Sequence, residues 1–255
     1  MTTSFDVVDL AGRAEFDPPG THRGIGVVAP FDFALDDEYL RWLGPGVGLF
    51  ATRTPYVDLP VSVEMAKAVS DVDDVAVGAR ALRAAAPAAV VYACTSGSFI
   101  DGLEGERRLC ECLREEAGAP GVTTSGALLD ALAAVRARTV AIATPYDADV
   151  TDRLGSFLAE AGHAVAGCAY LGLHADIARV NSQSVHRLVT AADSVRADAV
   201  FVSCTNLRTF DVISDLEREL GKPVLTANQV SVWAAVRAGG LAAAETDQRL
   251  FRDAG

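Results

Sequence analysis

Short apolar runs alternate with amphipathic stretches from about residue 23 onward. The runs are rich in valine and alanine and predict strands, whereas apolar residues at helical spacing predict helices. The predicted strands are residues 24–30, 46–52 and 88–93, and the predicted helices are residues 36–43, 61–70, 75–86 and 105–117. Because strands that alternate with helices run parallel, the pattern predicts an α/β fold.

The second half of the chain repeats the first. Residues 24–32 (GIGVVAPFD) match residues 139–147 (TVAIATPYD), and residues 88–96 (AAVVYACTS) match residues 198–206 (DAVFVSCTN). A repeat on this scale predicts two similar α/β domains with parallel sheets, facing each other about a pseudo-twofold axis.

A third match, between residues 121–125 and 224–228, helps to divide the chain. Residues 1–21 are polar and acidic, and we expect them to form an arm before the fold. The predicted first domain then comprises residues 22–120 plus 224–255, and the predicted second domain comprises residues 121–223.

Cys94 and Cys204 end the matched strands. Ligands of open parallel sheets bind beyond the carboxyl ends of the strands, so we expect both thiols to face one active-site cleft between the domains. Residues 95–96 and 205–206 are typical of helix N-caps, whose free N–H groups bind carboxylates and lower the pKa of a nearby thiol. A single cysteine is more often a packing residue, but the matched pair favours a functional interpretation.

Other strand ends carry further candidates. The Tyr146 hydroxyl, directly after Pro145, is placed to donate to a substrate carboxylate, although a tyrosine at such an edge is also an ordinary packing residue. Asp32 and Asp147 end the other matched strands, and helix N-capping is the favoured interpretation for both. His174 follows a predicted strand in a loop that can reach the cleft, which makes it a candidate acid or base.

Composition narrows the partners. The chain has 34 acidic and 22 basic residues, and the net charge of −12 opposes binding to nucleic acid. No apolar run approaches the roughly 18 residues of a membrane-spanning helix, and no signal peptide is evident. Five cysteines are a poor disulfide framework and fit a cytoplasmic protein, while their spacing predicts no metal site. Arg53 and Arg208 are candidate counter-charges for an anionic substrate.

The motifs at residues 93–98 (ACTSGS) and 203–209 (SCTNLRT), with Thr144-Pro145-Tyr146 between them, resemble the aspartate/glutamate racemase superfamily. The most similar branch is the maleate cis-trans isomerases, which include ectoine-utilisation proteins and are akin to arylmalonate decarboxylase. The resemblance covers residues 23–240. It implies two Rossmann-like domains with the active site between them, no cofactor, and a homodimer.

The resemblance also implies roles for individual residues. Cys94 corresponds to the nucleophile that adds to the alkene of maleate, and Cys204 corresponds to the acid/base that protonates the neighbouring carbon. The substrate-binding positions on this basis are Pro30, Asp32, Thr95, Ser96, Tyr146, His174, Thr205 and Asn206. The implied reaction is conversion of maleate to fumarate through a covalent cysteine adduct.

Three alternatives stay open at the level of sequence. An amino-acid racemase would use the same two thiols as opposed bases, but glutamate racemases carry histidine where Asn206 stands. Arylmalonate decarboxylases keep glycine where Cys94 stands and two glycines at residues 205–206. A non-catalytic protein that captures a dicarboxylate is the third, because a fold alone does not determine function.

Overall fold

The computed structural model describes residues 7–16 and 23–253. Helices and strands alternate through most of the chain. The elements are β1 (Gly24–Ala29), α1 (Asp36–Leu40), β2 (Gly48–Arg53), α2 (Val63–Val69), α3 (Val72–Leu82), β3 (Ala89–Tyr92), α4 (Thr95–Phe99), α5 (Gly102–Ala117), β4 (Gly121–Thr123), α6 (Thr124–Ala134), β5 (Thr139–Thr144), α7 (Ala148–Glu160), β6 (Ala164–Tyr170), α8 (Ser182–Ala192), β7 (Ala199–Val202), α9 (Phe210–Leu220), β8 (Val224–Thr226), α10 (Ala227–Gly239) and α11 (Arg249–Asp253).

The strands form two parallel sheets of four strands each. Their orders, β2-β1-β3-β4 and β6-β5-β7-β8, are the same when the second half is superimposed on the first. Strands β1, β3 and β7 are buried along their whole length and contain no charged residue, as expected for inner strands covered by helices on both faces. The structure therefore confirms the α/β class and the two similar sheets. None of the helices in the described part of the chain is long and apolar enough to span a membrane.

Helix boundaries differ from the predicted ones where tertiary contacts intervene. Helix α1 ends at Leu40 rather than at residue 43 because the chain turns to meet the C-terminal region. The Trp42 indole donates a hydrogen bond to the Gln248 side chain (2.8 Å), and Leu43 forms an isolated antiparallel bridge with Ala243. Helices α3 and α5 each begin three residues before the predicted start.

Strand pairing also differs from the predicted domain boundaries. Strand β4 pairs with β3, matching Val122 with Val91, and β8 pairs with β7, matching Leu225 with Phe201. The predicted boundaries at residues 121 and 224 are therefore wrong for these two strands, since each completes the sheet that precedes it in the chain. Helix α10 then returns to the first half and packs against β3, β4 and α6. Of the predicted arm, the described part is residues 7–16, and the rest lies outside the described residues.

Helix α1 connects the two halves through a buried carboxylate. Glu38 is fully buried, and it accepts hydrogen bonds from the backbone N–H groups of Thr209 (2.5 Å) and Phe210 (2.6 Å) and from the Asn228 side chain (2.5 Å). Burial raises the pKa of Glu38, although these three donors oppose the shift. The carboxylate thus caps α9 and fastens the segment that follows Cys204 to the first half.

We predict that Glu38→Ala lowers the free energy of unfolding by about 3 kcal/mol or more, because it leaves three buried donors without an acceptor. Asp37→Ala is the matched control, since the neighbouring Asp37–Arg208 pair is exposed and such pairs contribute about 0.5 kcal/mol. Urea unfolding of both variants measures the difference. Equal losses in the two variants would show that Glu38 does not have this role.

Candidate active site

A cavity lies between the carboxyl ends of the two sheets. Both halves of the chain line it. Nine of the ten predicted site residues are in its wall: Pro30, Asp32, Cys94, Thr95, Ser96, Tyr146, Cys204, Thr205 and Asn206. Nine of the residues that the sequence assigned to the site therefore lie together in the structure.

Cys94 is itself the N-cap of the short helix α4, so the helix start predicted with a cap at residues 95–96 is present but its cap lies one residue earlier. Its Sγ accepts a hydrogen bond from the Gly97 N–H at 3.3 Å, and the Ser96 hydroxyl lies 3.8 Å from the sulfur. The side chain is only 4% exposed. Burial raises the pKa of the Cys94 thiol to about 11, and the Gly97 N–H offsets only part of that effect. The expectation of a lowered pKa is therefore wrong.

Cys204 lies opposite, in an unusual backbone conformation. Its φ of +88° is in the left-handed region, which non-glycine residues rarely adopt. The predicted helix N-cap at residues 205–206 is wrong, because a turn follows Cys204 and α9 begins only at Phe210. Burial raises the Cys204 pKa to about 12, against hydrogen bonds from the Tyr146 hydroxyl and the Asn206 N–H that lower it.

Among the described residues, no cationic side chain lines the cavity to oppose the effect of burial on the thiols. Its described lining includes neither lysine nor arginine, and its charged side chain is Asp32. Arg53 and Arg208, the candidate counter-charges, instead pair with Asp36 and Asp37 on α1. Asp32 exposes part of its surface, yet loss of hydration raises its pKa, and its negative charge adds to the rise in the pKa of both thiols. Both thiols are therefore protonated at neutral pH.

Hydroxyl groups supply the polar side of the cavity. The Thr95 Oγ1 is buried and has no hydrogen-bond partner in the described structure, so it has donor and acceptor capacity for a ligand. Tyr146 is buried, and burial raises the pKa of its phenol well above 10, which keeps it protonated as a donor. These uncharged hydroxyl donors can bind a substrate carboxylate without help from a cationic side chain.

Thr205 and Asn206 use their side chains to join the two halves. Thr205 follows β7 in the second half, and its Oγ1 donates a hydrogen bond to the carbonyl of Ala93, which follows β3 in the first half (3.0 Å). The Asn206 amide donates to the Asp32 carbonyl (3.0 Å) and carboxylate (3.2 Å), and it accepts from the Ala34 N–H (2.9 Å). Their side chains therefore hold the cavity walls together, and because both residues also line the cavity, their contact with substrate stays a prediction.

The two aspartates at the matched strand ends differ. Asp147 is the N-cap of α7 and accepts from the Val150 N–H at 3.0 Å, which confirms the N-cap interpretation there. Asp32 caps no helix, because its carboxylate is bonded to Asn206, and the same interpretation is wrong for it. The equivalent positions have diverged, and Asp32 has become part of the cavity wall.

His174 does not line the cavity. It is exposed, and its Nδ1 lies 3.1 Å from the Val61 carbonyl oxygen, while the Val61 N–H donates to the His174 carbonyl (2.9 Å). The histidine thus joins the loop before α2 to the loop after β6. In the structure it fastens two loops beside the cavity, where the sequence led us to expect a group in contact with substrate.

Sequence reasoning missed the apolar side of the cavity. This wall comes mainly from α2 and consists of Val61, Met65, Ala66, Val69 and Ile177. The helical period of α2 was visible in the sequence, but nothing local showed that one face of the helix turns toward the thiols. Within the described residues, no group of three histidine, cysteine or acidic side chains is placed to hold a metal ion.

Comparison of the sequence with known proteins finds similar enzymes. A family model for arylmalonate decarboxylase matches residues 61–251. Arylmalonate decarboxylase from Bordetella bronchiseptica is 37% identical over 169 residues, which are 64% of this chain and 69% of that protein. Maleate isomerase from Pseudomonas putida is 28% identical over 155 residues, which are 58% of this chain and 62% of that protein.

A solved structure extends the match to nearly the whole fold. It is a liganded variant of arylmalonate decarboxylase in which a glycine is replaced by cysteine and a cysteine by serine. Its TM-score is 0.82 at 32% identity, and the match covers 89% of this chain and 97% of the other. The resemblance to the aspartate/glutamate racemase superfamily is thereby confirmed at the level of fold and of enzyme class. The chain belongs to the arylmalonate decarboxylase family.

Proposed function

We propose that this protein is a cofactor-independent isomerase of small dicarboxylates that converts maleate to fumarate through a covalent adduct on Cys94. The observation that carries the proposal is the presence of two buried thiols in one cavity, close enough that Cys94 contributes to the raised pKa of Cys204. A decarboxylase that only protonates an intermediate has no use for the second thiol. Two thiols provide a nucleophile and an acid/base on opposite sides of a substrate.

The first step forms the carbon–sulfur bond. The Cys94 proton passes to the Asp32 carboxylate, and the sulfur electron pair attacks one alkene carbon of maleate. The alkene electrons move onto the neighbouring carbon and its carboxylate, giving an enediolate. Hydroxyls of Thr95, Ser96 and Tyr146 and the N–H groups at the start of α4 stabilise that charge, which is the main source of catalysis in such sites.

In the second step the adduct is protonated. The addition of sulfur has already turned the former double bond into a single bond, and the Cys204 thiol protonates the neighbouring carbon to give a saturated adduct in which that bond rotates. The Cys204 thiolate then removes a proton from that carbon, the carbon–sulfur bond breaks with its electrons returning to Cys94, and fumarate leaves. Asp32 returns its proton to the Cys94 thiolate. The high pKa of Cys204 suits a group that must hold a proton at rest and recover it.

The apolar wall supports a substrate with an uncharged central part. Met65, Val69 and Ile177 offer contact to the alkene carbons and exclude water from the enediolate, which strengthens the hydrogen bonds around it. The carboxylates are held by neutral donors, since the described lining has no cation. A homodimer and a cytoplasmic location stay predictions from the sequence.

Decarboxylation of an arylmalonate is the second candidate. The family match and the 37% identity to the Bordetella bronchiseptica enzyme favour it. In that reaction Cys204 alone would protonate the planar intermediate left by loss of carbon dioxide, and the apolar wall would contact the aryl group. Cys94 would then be dispensable, so the two candidates make opposite predictions for its removal.

We expect proton NMR of the reduced protein with maleate in D2O to show fumarate. Cys94→Ala and Cys204→Ala should each lower the rate at least about 100-fold, because each removes a group that forms or breaks a bond. Cys168→Ala is the control, since that thiol is exposed on β6 outside the cavity lining. Phenylmalonate is run in parallel. Turnover of phenylmalonate that survives in Cys94→Ala, with maleate untouched, would replace isomerisation by decarboxylation.

The raised thiol pKa values predict how reactivity depends on pH. Below a pKa of about 11, the thiolate fraction of Cys94 rises about tenfold for each pH unit. The rate of Cys94 alkylation by iodoacetamide should therefore rise about 100-fold between pH 7 and pH 9 without a plateau, as followed by peptide mass spectrometry. A plateau below pH 8 would mean that the helix N-terminus outweighs burial.

A further inference from the structure

Tyr92 is a buried phenol directly behind Cys94. It ends β3, two residues before the cysteine, and is fully buried. Its hydroxyl donates a 2.7 Å hydrogen bond to the Val69 carbonyl at the end of α2. Tyr92 does not line the cavity, so substrate does not reach it.

The same hydroxyl lies beside the Cys94 thiol, and it lowers the pKa of that thiol in part. Gly97 shows how closely the two groups approach: a Cβ added there would lie 2.5 Å from the Tyr92 oxygen and 3.1 Å from the Cys94 Sγ. In the resting structure the single phenolic proton is donated to the Val69 carbonyl and not to the Cys94 sulfur.

The tyrosine beside each thiol occupies a different position in the repeat. The phenol that lowers the pKa of Cys204 in part is Tyr146, which follows β5 and lines the cavity. The equivalent of Tyr146 in the first half is Phe31, which has no hydroxyl, and the equivalent of Tyr92 in the second half is Val202. Each thiol thus has one phenol, but the phenol of Cys94 is on the side away from substrate. That side is free to stabilise sulfur while the other side of the sulfur reacts.

We propose that Tyr92 is a catalytic residue that stabilises the Cys94 thiolate by turning its hydroxyl from the Val69 carbonyl to the sulfur. The proposal rests on the proposed role of Cys94 as nucleophile. Tyr92 neither gains nor loses a proton, because the Cys94 proton passes to Asp32, and only the direction of the phenolic O–H bond changes. A hydrogen bond to a charged sulfur is stronger than one to a carbonyl, so the rotation favours ionisation.

The test measures iodoacetamide alkylation of Cys94 and Cys204 separately, at pH 8, by peptide mass spectrometry. We expect Tyr92→Phe to slow Cys94 about tenfold or more, since a hydrogen bond to a charged group is lost, and to change Cys204 less than about twofold. Tyr39→Phe is the matched control, because Tyr39 is also a fully buried tyrosine of the first half and has no hydrogen bond to either thiol. An unchanged Cys94 rate in a folded Tyr92→Phe protein would overturn the proposal.

A second substitution keeps the shape of the side chain and reverses the expected sign. Incorporation of 3-fluorotyrosine at position 92 makes the phenol a stronger donor, so Cys94 should be alkylated severalfold faster than in the unmodified protein. A merely structural hydroxyl would give no acceleration, and that result would also overturn the proposal. Alkylation needs no substrate, so these outcomes are independent of whether maleate is converted. Failure of maleate turnover would count against the proposed function alone.

Discussion

Hydrogen bonds between the two halves hold the carboxyl ends of the two sheets against each other. Thr205 donates a hydrogen bond to the Ala93 carbonyl, and Asn206 donates hydrogen bonds to the carbonyl and the carboxylate of Asp32. Farther from the cavity, Glu38 holds the start of α9. These bonds fix the segment from Cys204 to α9. They also maintain the left-handed backbone conformation of Cys204, which is strained because residues other than glycine rarely adopt it.

The chemistry of the site depends on this closure. Closing the two halves over the thiols removes their water, and burial then raises the pKa of both above 10. The resting site is neutral at sulfur, and its described lining adds no cation. Charge develops only when substrate arrives, at a place where hydroxyls and N–H groups already point. In the proposed reaction, such an arrangement favours a transient enediolate over a permanently reactive thiolate, which limits oxidation and unwanted alkylation of the cysteines.

Much of the fold and the site could be predicted from local pattern and repeat. The alternation of elements indicated parallel sheets, and the matched Cys-Thr and Pro-aromatic-Asp segments located both thiols, Pro30 and Tyr146. The direction of the thiol pKa shift could not be predicted in this way, because a one-turn helix acts locally whereas burial depends on how the halves close. The roles of Glu38 and His174 depend on contacts between distant segments. Tyr92 looks in the sequence like any strand residue, and only its place behind Cys94 distinguishes it.

The measurement that tests the account most directly is peptide mass spectrometry of a Cys204→Ser variant mixed with maleate. In this variant water gives the enediolate its proton, but no thiolate remains to remove it, so the account predicts that the adduct accumulates, with one peptide heavier by one maleate and the modification on Cys94. Denaturation in acid preserves such a thioether, so that the modified cysteine can be mapped. Absence of any adduct while the unmodified protein forms fumarate, or an adduct on a cysteine outside the cavity, would contradict the covalent two-thiol mechanism.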